Sequence, residues 1–385
     1  MSLTREQNIN STTSGKSIIS IPTVTFVVPC YKLAHYLAEC VESILLQSYK
    51  NIEVIILDDQ SPDNTAEVAN IIIAGHPGRT ITYVLNNENL GNIRNYNKGI
   101  NMAGGLYVWI LSPDDRLRSR HIVERYVRLM ESNSKIGYVF CAAHLISGER
   151  DAGIYRPSLY RMKDQILDGK QLVKDIADDN FELIAASVMI RKECYEKVTL
   201  FPPDMPHRGD SYVWSLIAMR YDVGYFSKAM VDYRIHNNSM VTTLARENFV
   251  RIIEDNIAVP WRIKAEAQKQ NLIDLVTHCW YSIIKIYIEG LLGVNIRGNI
   301  GSLTMEDFEM SLLKWEPNSS NRSKVRVMLA TSLYWTGMAD LSLVRINRAR
   351  KTLHYSFYLQ PELRYHPPMR QLMNNPDLGK RFWLN

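Results

Sequence analysis

The sequence predicts an α/β protein built on a largely parallel sheet, followed by a region made mainly of helices. Two patterns carry that prediction. Through residue 115, apolar runs of strand length alternate with amphipathic stretches of helix length, which is the signature of βα units. Beyond residue 248 the strand signals fade and apolar residues recur at helical spacing. A third observation points to function. Two of the strand-like runs end in paired carboxylates, Asp58-Asp59 and Asp114-Asp115, and ligands of such sheets bind outside the carboxyl ends of the strands.

In chain order, residues 1–20 are polar and rich in Ser, Thr and Asn, and read as a disordered leader. A β-branched run at 23–28 precedes an amphipathic segment at 34–47, the first βα unit. Strand 52–57 ends in DDQSPD and leads into a helix at 64–74. Strand 81–85 is followed by an Asn- and Gly-rich loop and a helix at 93–103. The fourth strand, LYVWI at 106–110, breaks at Ser112-Pro113 into Asp114 and Asp115, ahead of a helix at 120–130 that this pair could simply cap. Segments 140–180 and 200–210 read as loops. Farther on, 272–292 and 324–343 carry helical spacing, and Gly337 and Pro361 suggest a helix-turn-helix punctuated by the glycine. The expected domains are a leader at 1–20, a catalytic domain at 21–247 and a helical domain at 248–385.

Composition narrows the class. A 46% hydrophobic and 22% charged chain is ordinary for a globular protein. The longest apolar candidate, 279–294, is broken by Lys285 and Glu289, so no membrane span is expected, and the first residues show no secretory signal. A cytoplasmic location follows as the expectation. Five cysteines without CxxC spacing fit reduced thiols rather than a disulfide framework or zinc site. Residues 321–385 hold eleven Lys or Arg against three Asp or Glu, or +8 of the overall +5, leaving about −3 for the rest. That basic end could sit peripherally on the inner face of an anionic membrane, or serve self-association into a homo-oligomer. No nucleic-acid partner is expected. Neither GxGxxG nor GxxxxGK[ST] occurs, which argues against a dinucleotide site and a P-loop.

The motifs PCYK, LDDQSPDN, NENLGNIRNYNKG and WILSPDD, in this order and spacing, resemble the N-terminal half of family 2 glycosyltransferases, and the likeness runs over about residues 24–245. The resemblance implies the GT-A nucleotide-diphospho-sugar transferase fold, a Rossmann-like mixed sheet flanked by helices. It also implies inverting transfer of a sugar from a nucleotide-diphosphate donor to a hydroxyl of a saccharide, lipid-linked or protein-linked glycan, in bacterial cell-surface polysaccharide synthesis. A QxxRW element is absent, so the expected enzyme is non-processive.

Carried onto this sequence, the resemblance assigns Pro29 and Tyr31 to the nucleobase and Asp58 to a pyrimidine N3–H, favouring UDP- or dTDP-sugars. Asp59 is expected to stabilise its own turn through Ser61 and Asp63. Arg94 is the cation expected on the base or phosphate side. Asp114 is the expected Mg²⁺ or Mn²⁺ ligand, with Asp115 as second ligand or orienting residue, because hard carboxylate oxygens suit these ions and the diphosphate supplies further ligands. His236, in VDYRIHNNSM, is expected to complete the metal or diphosphate site. Asp210 is the expected general base, with Glu182 in reserve and helix capping as the competing role; His207 is acceptor-side or structural. Two departures from the family pattern stand out. Ser112 replaces the first acidic residue of the metal motif and Gly209 replaces a Glu beside the base. They keep open a catalytically silent scaffold. A sugar-phosphate nucleotidyltransferase would need a Gly-rich basic loop after strand one, which 29–33 lacks.

Overall fold

A computed structural model describes residues 21–373 apart from 149, 157–161, 179–182, 237–238, 240–241, 244–248, 294–302 and 344. The expected leader and the reserve base Glu182 lie outside the described residues.

The βα alternation appears as expected, with boundaries shifted by one or two residues. Strands β1 (Val24–Cys30), β2 (Ile52–Asp58), β3 (Thr80–Leu85) and β4 (Tyr107–Ile110) are separated by helices α1 (Ala34–Leu45), α2 (Thr65–Gly75) and α3 (Asn92–Met102). They pair in parallel in the order β3-β2-β1-β4. Strand β1 pairs with β2 through Cys30, but with β4 only through Val27. The sheet therefore opens at a topological switch point, where the chain leaves β1 in one direction and returns through β4 in the other. Pro29 suits that opening. Val27 accepts from the Leu111 N–H on the β4 side, so two residues on, past the end of β4, a missing N–H leaves no ladder bond unmade.

Beyond β4 the sheet becomes mixed. After β5 (Arg116–Leu117) and α4 (Ile122–Ser132) come β6 (Ile136–Ser147), β7 (Arg150–Tyr155), β8 (Gln165–Leu167) and α5 (Gly169–Ala177). Next are β9 (Met189–Arg191), α6 (Lys192–Lys197), α7 (Gly209–Ala218) and β10 (Asp222–Arg234). The order continues β4-β9-β6-β10-β5, with β9 antiparallel to both neighbours. Segment 140–180 is thus largely strand and helix rather than loop, and β6 is buried along nearly its whole length. Its continuous apolar run lacked the polar alternation that marks a half-exposed strand. The capping alternative for Asp114-Asp115 also fails: α4 begins at Ile122 behind His121, with β5 in between.

One face of the sheet is covered by α1, α2 and α4. Rings stack across it from β1 to β10: Phe26 on Trp109 at 5.2 Å, Trp109 on Tyr126 at 5.0 Å and Tyr126 on Phe226 at 5.3 Å. The other face packs α3, α5 and α7 together with part of the helical region. Gly99 lets α3 sit on β1, because a Cβ there would lie 2.2 Å from Val27 Cγ1.

The helical region comprises α8 (Phe249–Lys269), α9 (Ile273–Leu292), α10 (Met305–Trp315), α11 (Ser319–Ser342), α12 (Ile346–Leu359) and α13 (Pro367–Met373). Helix α8 has two buried faces. Ala258, Val259, Ile263 and Ala267 join the core of the sheet face, whereas Ile253, Ile257 and Trp261 join a helical core with α9, α10 and α11. Gly337 does not separate two helices; it lies inside α11. There it admits α12, since a Cβ would meet Leu353 Cγ at 2.7 Å. No helix among the described residues is long and apolar enough to cross a membrane.

Under β10 lies a buried charge cluster. Asp232, 2% exposed, accepts from Arg116 Nε at 2.7 Å, Arg118 at 3.2 Å and His144 Nδ1 at 2.9 Å. Burial alone would raise its pKa, but these hydrogen bonds prevail and hold it below the ordinary 3.8. The folded state therefore binds this proton more weakly than the unfolded chain. The resulting stabilisation is complete above 3.8 and is lost as pH falls through the lowered folded value. Asp232→Asn should cost about 2 kcal/mol at pH 7, the two arginines being partly exposed and screened. In urea melts at a series of pH values, that difference should shrink towards zero at strongly acidic pH. Gly99→Ala should destabilise by about 1–3 kcal/mol despite better helix propensity, because Val27 has to move; a thermal melt reads this directly.

Candidate active site

The carboxyl edge of the sheet gathers the two acidic pairs as expected, but it uses each carboxylate differently. Asp58, 1% exposed, accepts from the Ser61 N–H at 2.8 Å and the Tyr83 hydroxyl at 2.8 Å. The turn-stabilising role expected of Asp59 thus belongs to Asp58. Asp59, likewise buried, turns to the loop before α3 instead, accepting from Asn86 Nδ2 at 2.7 Å and from the N–H groups of Leu90 and Gly91 at 2.8 and 2.9 Å. It ties that loop down through two of its backbone N–H groups and the Asn86 side chain. Gln60, between these turns, takes φ +59°. Such a left-handed backbone in a non-glycine residue marks a tightly determined site. Lys32, after β1, does the same at φ +58°.

At the end of β4, Ser112-Pro113-Asp114-Asp115 closes a tight turn in which the Asp115 N–H donates to Ser112 O at 3.0 Å. Asp115 faces inward, 6% exposed, and its Oδ1 accepts from the Arg234 N–H at 3.0 Å. Burial first, and then the neighbouring Asp114 charge, push its carboxyl well above the usual range. Of the two roles expected of it, this posture suits an orienting residue. Arg234, 5% exposed, locks the turn from beneath: Nε donates to Asp114 O at 3.0 Å, Nη1 to Gly148 O at 3.2 Å and Nη2 to Glu39 at 2.8 Å. Its guanidinium lies 4.6 Å over the Tyr36 ring.

Asp114 faces the crevice. Its Oδ2 meets His236 Nε2 at 2.9 Å, whereas Oδ1 is buried with no hydrogen-bond partner. Among the described residues no group of three or more His, Cys, Asp or Glu side chains forms a ready metal cage. Two converging donors, one with an unused buried oxygen, fit Mg²⁺ or Mn²⁺. Such ions bind through one or two protein ligands and keep water and phosphate oxygens for the rest. They do not fit a closed structural site.

A cavity of about 180 Å³ begins at this turn. Its lining includes Ser112, Asp114 and Asp115 from the end of β4 and His207, Arg208, Asp210, Ser211 and Trp214 from the approach to α7 and its first turns, with Tyr96 and Ile190 among the apolar walls. Asp210 sits in the first turn of α7, whose N-cap position is Arg208. It is therefore not the N-cap that its sequence position suggested. Its Oδ1 accepts from the Ser211 N–H at 2.6 Å. Trp214, one turn on, shares the cavity-facing side of the helix. The cavity thus unites Asp114, Asp115 and Asp210, more than ninety residues apart in sequence. Pro29, Tyr31 and Asp58 stand at the ends of β1 and β2, outside the cavity lining; Pro29 is buried and Tyr31 is 38% exposed. Arg94 is exposed on the first turn of α3 and does not line the cavity.

Sequence reasoning passed over Arg234, Glu39 and Trp214. Arg234 had a usable signal, since it lies two residues before His236 and so points to the same face of an extended chain. Glu39 and Trp214 had none beyond helical spacing.

Residues 25–199 match the family described as Glycosyl transferase family 2. Glycosyltransferase GlyG of Streptococcus pneumoniae serotype 4 is 36% identical over 114 residues, which is 29% of this chain and 37% of that protein. An uncharacterized glycosyltransferase of Rickettsia typhi, RT0329, is 26% identical over 273 residues, 70% of this chain and 80% of its own. Among solved structures, Staphylococcus aureus TarS 1–349 in complex with UDP-GlcNAc superposes with a TM-score of 0.57 at 12% identity, covering 89% of this chain and 92% of TarS 1–349. Residues 25–199 are thus similar to glycosyl transferase family 2 domains, and the chain has a GT-A fold with a helical C-terminal region.

Proposed function

We propose that this protein is an inverting, non-processive glycosyltransferase that moves a sugar from a UDP- or dTDP-sugar to a hydroxyl of a saccharide, lipid-linked or protein-linked glycan in cell-surface polysaccharide synthesis. The observation that carries the reading is the single cavity lined by both Asp210 and Asp114. Inverting transfer needs a base on one side of the anomeric carbon and stabilisation of the leaving diphosphate on the other.

In this reading Pro29 and Tyr31 flank the nucleobase and Asp58 accepts its N3–H, while Arg94 meets the base or phosphate side. Asp114 and His236 would hold Mg²⁺ or Mn²⁺, with Asp115 as the orienting residue. A bound divalent ion would offset the charge that develops on the departing nucleoside diphosphate. Asp210 takes the proton from the acceptor hydroxyl as its oxygen bonds to the anomeric carbon, and the bond to the donor phosphate oxygen breaks on the opposite face. The UDP-GlcNAc complex of TarS supports a uridine donor on fold likeness alone. In this reading residues 21–247 form the glycosyltransferase domain and residues 248–385 a helical domain whose first helices share its core. We place the enzyme in the cytoplasm, where the basic C-terminal region could meet an anionic membrane surface.

The test uses purified full-length protein with UDP- and dTDP-sugars and Mn²⁺, following release of the free diphosphate. Asp210→Asn should cut turnover by about 10²–10⁴-fold while UDP affinity in calorimetry stays within about twofold, since the base contributes to the transition state and not to nucleotide binding. A parent chain that binds UDP but releases no diphosphate from any such donor would favour the silent scaffold that Ser112 and Gly209 leave open.

A further inference from the structure

The carboxylate proposed as base sits at the end of an irregular segment, and that segment is held by the helical region. Residues 201–208 form neither helix nor strand and contain three prolines, at 202, 203 and 206, which cannot donate backbone hydrogen bonds. The segment is tied at both ends. Asn97 on α3 brackets Phe201, donating to its carbonyl at 2.8 Å and accepting its N–H at 3.0 Å. At the other end Asp255, on α8 and 1% exposed, accepts the His207 N–H at 2.8 Å and also the N–H of Arg208. Arg251, one turn earlier on α8, pairs with Asp255 at 3.0 Å and donates to Asp204 O, and Arg262 bonds the Asp204 carboxylate. Burial raises the Asp255 carboxyl above its ordinary value despite these partners, so this is an acid placed where water cannot compensate it.

We propose that Asp255 is a positioning residue for the transfer reaction: by fixing the backbone of His207 and Arg208 it sets where α7 begins, and hence where the Asp210 carboxylate stands in the cavity. This rests on the reading of Asp210 as base. Only Gly209 separates Arg208 from Asp210, so a shift of the anchored backbone passes almost undiminished to the carboxylate, and a displacement of about 1 Å can cost about a hundredfold in rate. Helix α8 begins fifty residues past the family-matched span of 25–199. The helical region is thereby part of the catalytic geometry and not an appendage to it.

The test compares full-length Asp255→Ala, Asp255→Asn and Ile257→Ala. Ile257 lies on the same helix but in the helical core, so its truncation reports the effect of loosening α8 without touching the anchor. Amide hydrogen exchange over residues 201–210, UDP calorimetry and release of UDP from UDP-GlcNAc are read together. Asp255→Ala should speed exchange of the segment by about tenfold or more and lower kcat by about 10–100-fold, with KM for UDP-GlcNAc and UDP affinity within about twofold. Asp255→Asn, which keeps one acceptor oxygen, should restore most of both, and Ile257→Ala should leave both near the parent. Parent-like exchange in Asp255→Ala, or an equal response in Ile257→Ala, would overturn the proposal. A parent chain inactive towards UDP-GlcNAc would count against the donor reading alone, because the exchange comparison still decides the role of Asp255.

Discussion

The site depends on one buried contact, Arg234 beneath the Asp114-Asp115 turn. Two adjacent carboxylates at the end of a buried strand repel each other and resist desolvation. Arg234 resolves the conflict by giving its backbone N–H to Asp115 and its guanidinium to the Asp114 carbonyl, Glu39 and Gly148. One carboxylate is thereby turned inward and the other is left facing the crevice. The same residue binds the end of β10 to α1 and to the β6–β7 turn, so the acidic turn is fixed relative to three elements at once. A lysine could not reproduce this, since the fork of N–H donors meets three acceptors in different directions.

Much of the first half was legible because its periodicities are local. The runs at 52–57 and 106–110 and the helices between them follow from apolar spacing alone, and the acidic pairs at strand ends announced the functional edge. What could not be read was whatever depends on partners distant in sequence. The exchange of roles between Asp58 and Asp59 is an example: which of two adjacent carboxylates turns towards Ser61 is decided by Tyr83 and by the donors at Leu90 and Gly91. Strand β6 was hidden by burial on both faces, and β9 by having only three residues. Gly337 misled because a glycine inside a helix and a glycine between helices look alike until the Leu353 side chain is seen against it.

The helical region was expected only as helices, with its role open. Helix α8 joins it to the sheet domain by presenting one apolar face to each core, and its polar residues Arg251, Asp255 and Arg262 reach the segment before α7 between those faces. Buried charges on such a helix are costly unless they bond to something. Asp255 and Arg251 bond backbone groups of that segment, which has no regular secondary structure of its own to satisfy them, and Arg262 pairs with the Asp204 side chain.

The account stands or falls on whether the crevice at β1, β2 and β4 binds a pyrimidine nucleoside diphosphate through a metal. Calorimetric titration of the full-length protein with UDP, dTDP, GDP and CDP, each with and without Mn²⁺, measures this directly. The account predicts binding of UDP or dTDP that Mn²⁺ strengthens, with a matching rise in melting temperature from ligand linkage, and weak or no binding of GDP. Failure of all four to bind in both conditions, or binding indifferent to the base, would contradict it.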